Sequence, residues 1–264
     1  MPYLYETHLH TVEGSKCSRE PAVNYIQRYL DLGFTGIFVT DHFTGYCPAP
    51  DPSLPWHDWV DAYCLGYEHA AEEGYRRGLQ VFFGWEQTCQ SDEYLIYGLD
   101  KQWLYAHPEC RRWTRKQMFE TVSAAGGCVV HAHPFRERSY GDFVRLYPDA
   151  CHAIEVANCG NLPYMDVLAR RYAEVLHLPM TAGSDIHTTE QLPHVFGVAL
   201  EEKLTSAADY ARRIRSGCGI ALHMPDDRTL EPRDASPTLR VACYDNEDQE
   251  IPLPPGVLPC GGLK

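Results

Sequence analysis

TGIFVTDH, residues 35–42, is a run of β-branched and aromatic residues that ends abruptly in an acid and a histidine. Such a continuous apolar stretch is expected of a strand buried on both faces, as in a parallel sheet. The same grammar recurs on either side of it. YLYETHLH (3–10) precedes it, and LQVFFGWE (79–86), CVVHAHP (128–134), HAIEVAN (152–158) and PMTAGSDIH (179–187) follow it. Between these runs the spacing predicts helices over about Pro21–Leu32, His57–Arg77, Thr114–Ala125 and Tyr164–Leu176. Ser18 is the expected N-cap of the first helix and Gly33 its stop. Strands alternating with helices in this order give an α/β chain with a mostly parallel sheet or barrel.

The chain has 264 residues, with 44% hydrophobic and 22% charged, enough for one large α/β domain. No apolar run reaches the ~20 residues of a membrane span, and the first residues carry no secretory-signal pattern. A cytoplasmic protein without a membrane partner is the expectation. The net charge of −13 argues against gripping an extended nucleic-acid backbone, but bound cations can invert an acidic field locally for a small anionic substrate. Eleven cysteines, scattered and without a CxxC pair, read as reduced thiols and argue against a cysteine-bound zinc. Residues 226–264 are proline-rich and weakly patterned, a C-terminal extension packed on the main domain (1–225) or a loose tail. The oligomeric state is not legible.

The polar residues His8, His10, Asp41, His42, Glu86, His131, His133, Asp185 and His187 all fall at the expected C-terminal ends of strands. In α/β barrels that rim is where loops converge and chemistry is assembled. His8 with His10, and Asp185 with His187, are i, i+2 pairs that an extended chain turns to one side. Taken singly, each has a bland reading: polar residues leaving a strand, or Asp41 capping a helix beside a surface histidine. Glu86 closes a buried strand, where a carboxylate is costly unless paired or bound to a cation, and it can bridge two ions. His133 precedes a proline that fixes the chain, so it is favoured as a ligand over His131. Imidazole and carboxylate donors suit two or three divalent ions: zinc, manganese or iron. No P-loop, GxGxxG or Ser–His–Asp arrangement competes.

HLH (8–10), TDH (40–42), GWE (84–86), AHP (132–134) and GSDIH (183–187), with EVAN (155–158), resemble the PHP (polymerase and histidinol phosphatase) superfamily in content and order. They are most similar to its small stand-alone proteins described as metal-dependent phosphoesterases. The resemblance implies a distorted (β/α)7 barrel with a multinuclear metal site at the C-terminal rim. It also implies that His8, His10, Glu86 and Asp185 hold one ion, Glu86 and His133 contribute to a second, and His42 and His187 to a third. Where many relatives carry an Asp or His after HxH, this chain has Ser15 and Lys16, and Glu13 is the candidate replacement. Where they carry a histidine in the strand after the central Glu, Glu93 is the candidate.

The expected reaction is hydrolysis of a small phosphorylated substrate by attack of a metal-bound hydroxide, with Glu86, Asp185 and His187 nearest the chemistry. Arg136 is a candidate for a phosphate oxygen or a surface ion pair, and Lys16 and Arg19 are similar candidates. Amide or lactone hydrolysis, or a metal-binding regulatory module without turnover, are the alternatives. The proline-rich loop 43–56, with Tyr46, Trp56 and nearby Trp59, either lines the pocket or packs as a lid, and packing is favoured. His107 is placed outside the site.

Overall fold

The computed structural model describes residues 1–45, 47–137, 143–192, 195–224 and 237–258, so Tyr46 lies outside the described residues. Nine strands form one sheet in the order β10-β9-β1-β2-β3-β4-β5-β7-β8. They are β1 (Tyr3–Glu6), β2 (Gly36–Val39), β3 (Gln80–Cys89), β4 (Asp92–Tyr97), β5 (Cys128–His131), β7 (Ala153–Asn158), β8 (Met180–Gly183), β9 (Gly197–Leu200) and β10 (Ile220–His223). β4 is antiparallel to both its neighbours, and β9 to both of its own. The remaining strands of the sheet run in one direction. The sheet curls until its ends approach. Backbone N–H groups of Asp185 and His10 donate to His8 O and Ile186 O, both at 2.8 Å. That seam gives a nearly closed α/β barrel.

The helices are α1 (Ala22–Asp31), α2 (Trp56–Arg77), α3 (Lys101–Ala106), α4 (Arg115–Ala124), α5 (Pro163–Leu176) and α6 (Ala207–Ser216). Ile37 and Val39 pack with Tyr25, Ile26 and Tyr29 of α1. Phe38 faces the other way and meets Tyr97 of β4 at 5.2 Å between ring centroids. β2 and β4 are not sheet neighbours, so this contact crosses the barrel interior. Tyr210 of α6 touches both rings, at 4.7 and 5.1 Å. α6 therefore plugs the barrel, completing an apolar interior.

Two local expectations change, one is met, and one strand was not expected. Ser18 does not cap α1: its hydroxyl donates to His10 O and His187 O, and Pro21 occupies the cap position without a side-chain bond. Glu86 does not end its strand, because β3 continues to Cys89 as a hairpin with β4, in which Glu86 faces Leu95. Trp56 and Trp59 stack together, and Trp56 Nε1 donates to Leu104 O at 2.9 Å, so these rings pack the loop onto α3. Finally, Phe143–Leu146 forms a strand, β6, that the pattern did not announce. It pairs in parallel with β11 (Arg240–Tyr244), which pairs in turn with β12 (Glu250–Ile251). Val241, Cys243 and Val257 from this C-terminal segment are buried in the main core. Among the described residues no helix is long and apolar enough to cross a membrane.

Candidate metal centre

β1, β2, β5 and β8 each stop just short of a histidine- or aspartate-bearing turn, and these turns meet at one end of the barrel. His8 Nε2 lies 3.1 Å from His10 Nε2, 3.3 Å from Glu86 Oε1 and 3.5 Å from Asp185 Oδ1. His10 Nε2 lies 3.0 Å from Asp185 Oδ1 and 3.6 Å from Glu86 Oε2. A second group gathers beside it. His133 Nε2 is 3.4 Å from Glu86 Oε1, 3.6 Å from Glu93 Oε2 and 3.9 Å from Asp185 Oδ2. His10, His42 and His187 converge as a third group, and His42 also faces Glu86 and Glu93.

These spacings fit divalent ions better than they fit hydrogen bonds. Donors at about 2.0–2.1 Å from a tetrahedral ion stand about 3.3 Å apart, the separation seen across the first two groups. Both Glu86 oxygens, His42 Nδ1 and His133 Nε2 are buried and face one another without a well-directed hydrogen bond, although His42 Nδ1 lies 2.6 Å from Glu86 Oε2. Burial favours neutral groups here. Even so, His42 and His8 hold the Glu86 carboxylate well below the usual carboxylate range, and Arg136 and His8 do the same for Asp185. A site that keeps carboxylates ionised in the interior needs compensating positive charge, and divalent cations supply it.

The surroundings aim the donors. Glu155, the first residue of EVAN, takes His8 Nδ1 at 2.9 Å on one oxygen and accepts from His133 N and Asn158 Nδ2 on the other. It thus orients one imidazole and the backbone of another, a role its sequence position did not reveal. Glu6 accepts from the backbone N–H groups of Thr7, His8 and Ser184 and from Tyr29 Oη, tying the end of β1 to the end of β8. Burial raises its pKa to about 7. Gly183 leaves room for this approach: a Cβ there would stand 2.5 Å from His8 Cβ. His133 (φ 29°) and Asp185 (φ 55°) adopt left-handed backbone, strain held where the donors must point inward.

Other candidates lie elsewhere. His131 stacks on Tyr94 at 4.8 Å, and His107 stacks on Trp103. Asp41 accepts from Thr11 N and Oγ1 and from Ser15 Oγ, bracing the turn after HLH instead of facing the ions' donors. Glu13 caps α1 through Ala22 N and approaches His69, so the structure does not bring it to the site. Lys16 borders a neighbouring hollow with Arg111, and Arg19 is exposed. Arg136 reaches the centre: its guanidinium bonds Asp185, Asn158 Oδ1 at 2.6 Å and Asn161 Oδ1 at 2.9 Å. A cavity of about 710 Å³ opens over the donors, lined by His42, Glu93, Arg136, Asp185 and His187 among others.

A sequence family described as PHP-associated matches residues 167–218, spanning most of α5 through α6. Over that segment the chain is similar to PHP-associated proteins. The PHP fold is shared with a two-domain protein containing a predicted PHP-like metal-dependent phosphoesterase from Bacteroides vulgatus. The TM-score is 0.63 and the identity 15%, covering 85% of this chain and 65% of that one. This chain thus spans just under two thirds of that protein. A protein from Bifidobacterium adolescentis, named only provisionally as a metal-dependent phosphoesterase, is similar at TM-score 0.53 and 16% identity, covering 81% and 96% of the two chains. An amidohydrolase from Chromobacterium violaceum, with bound sulfate and no metal, is similar at 0.50 and 14%, covering 85% and 99%. No curated protein matches this chain in sequence.

Proposed function

We propose that this chain is a PHP-type metal-dependent phosphoesterase acting on a small phosphorylated molecule. The observation that carries the reading is the convergence of buried imidazoles and carboxylates beneath a cavity that is also lined by a guanidinium. His8, His10, Glu86 and Asp185 would hold one ion, and Glu86, His133 and Glu93 a second, with His42 and His187 facing a third position. Ions held there lower the pKa of a coordinated water and neutralise charge developing on phosphoryl oxygens.

The chain's own groups do the rest. Glu86 offers both oxygens to neighbouring groups of donors and so sets their separation. His187 Nδ1 donates to Asp185 O at 2.9 Å, which leaves the lone pair on Nε2. Arg136, held in place by Asp185, Asn158 and Asn161, sets a fixed positive charge at the cavity wall that would attract a phosphate oxygen. The cavity's size suits a small molecule.

Purified protein loaded with zinc, manganese or iron is assayed on an aryl phosphate, mononucleotides and sugar phosphates, beside a Glu86→Ala control. Phosphate release above the control is expected. Turnover of amide or lactone substrates in place of these would move the reaction to a carbonyl centre. Failure on both panels would leave a metal-binding module without turnover.

A further inference from the structure

Cys17 and Cys47 stand 30 residues apart in sequence and meet at the mouth of the cavity. The turn after HLH and the proline-rich loop pair locally: Ser15 bridges Pro48 in antiparallel fashion, and Lys16 N donates to Cys47 O at 2.7 Å. That pairing brings the donor atoms of Cys17, Cys47 and His42 within 4.8 Å of one another. The Cys17 sulfur also contacts the His187 ring, whose Nδ1 is already committed to Asp185 O. His42 is buried and borders this space from the other side, with its Nδ1 2.6 Å from Glu86 Oε2 and its ring in contact with Cys17.

We propose that Cys17 and Cys47 are thiolate ligands that, with His42 and His187, complete the outermost ion position. The proposal rests on the metal-centre reading above and assigns that position's missing donors. Glu13, the carboxylate expected there, is turned to α1. Two cysteines and two histidines are a tetrahedral zinc set, and thiolates prefer zinc to manganese or magnesium. Each thiol gives its proton to solvent as the ion binds. Four protein donors leave no open position, so this ion anchors the loop carrying Cys47 over the cavity instead of activating water. The absence of a CxxC pair does not oppose this, because loop pairing supplies the proximity that local spacing supplies elsewhere.

The test loads metal-free full-length protein with cobalt(II) and records its absorption and metal content. A near-ultraviolet sulfur-to-cobalt charge-transfer band is expected in the wild type and in a Cys218→Ser control. It should vanish, with one ion fewer bound, in the Cys17→Ser/Cys47→Ser double variant, whose circular dichroism should match the wild type. Without any substitution, chelation should expose two additional reactive thiols. Visible cobalt d–d absorption without the charge-transfer band would overturn the cysteine assignment and leave the histidine–carboxylate ions in place. No cobalt uptake at all would overturn both. Two thiols missing in protein free of reductant, and not released by chelator, would mean a Cys17–Cys47 disulfide and would also overturn the assignment.

Discussion

Glu155 touches no proposed ion, yet both its oxygens are spent on the donors: one on His8 Nδ1, the other on His133 N and Asn158 Nδ2. Replacing it with glutamine keeps the shape and removes the charge that favours the correct His8 tautomer. Glu155→Gln should weaken metal binding by about 10–100-fold, read by competition with a chromophoric chelator, while the fold persists. An unchanged affinity would mean that His8 needs no such partner. At this scale the sequence spoke clearly where two donors sit i, i+2 after a strand, as in HLH and SDIH. It spoke poorly where a residue acts through another. Nothing in the neighbourhood of Glu155 distinguishes a carboxylate that orients imidazoles from an ordinary one. Cys17 and Cys47 were likewise illegible, since a pairing between two loops made them neighbours.

The β-elements carry their own titratable clamp, well away from the metal centre. His152 Nδ1 accepts from Val129 N at 3.0 Å and its Nε2 meets Ser123 Oγ at 3.2 Å, linking the start of β7 to β5 and α4. Burial, with Arg215 nearby, lowers its pKa to about 4. The folded state therefore binds fewer protons than the unfolded one between about pH 6.5 and 4. The stabilisation is complete above that window and is lost as pH falls through it. Because the ring is part-exposed, about 1–2 kcal/mol is the expected size. In chelator-treated protein, the urea midpoint of the wild type should fall between pH 7 and 5 by more than that of His152→Asn. Equal falls would remove His152 from the account. Element order was largely legible, because apolar runs and Gly or Pro punctuation mark strand and helix ends. The β3–β4 hairpin was the exception. Its antiparallel turn-back leaves the apolar runs looking like parallel strands, and so Glu86 lies unexpectedly in mid-strand, while Glu93 was suggested only by the family resemblance.

For the whole molecule, the metal centre is also a structural joint, since its donors come from turns that follow β1, β2, β5 and β8. Ions bound well above their dissociation constants should add about 3 kcal/mol to stability. Removing them should lower Tm by about 5–10 °C for a chain of this size. Thermal unfolding with and without chelator, followed by zinc or manganese add-back, checks this. A Tm indifferent to chelator would argue against resident ions. The barrel itself was legible because its alternation is encoded locally. The pairing of β6 with β11 was not, because it joins short segments about a hundred residues apart.

The seam where Asp185 N donates to His8 O has a consequence for biogenesis. The two sides of the metal pocket are separated by nearly the whole length of the barrel, so no nascent fragment ending before Gly183 can assemble it. Contacts of such long sequence separation form late and slowly. A ribosome-bound chain would therefore acquire ions there only after the turn carrying Asp185 has emerged, and metal uptake would serve as a clock for the closing step of barrel folding.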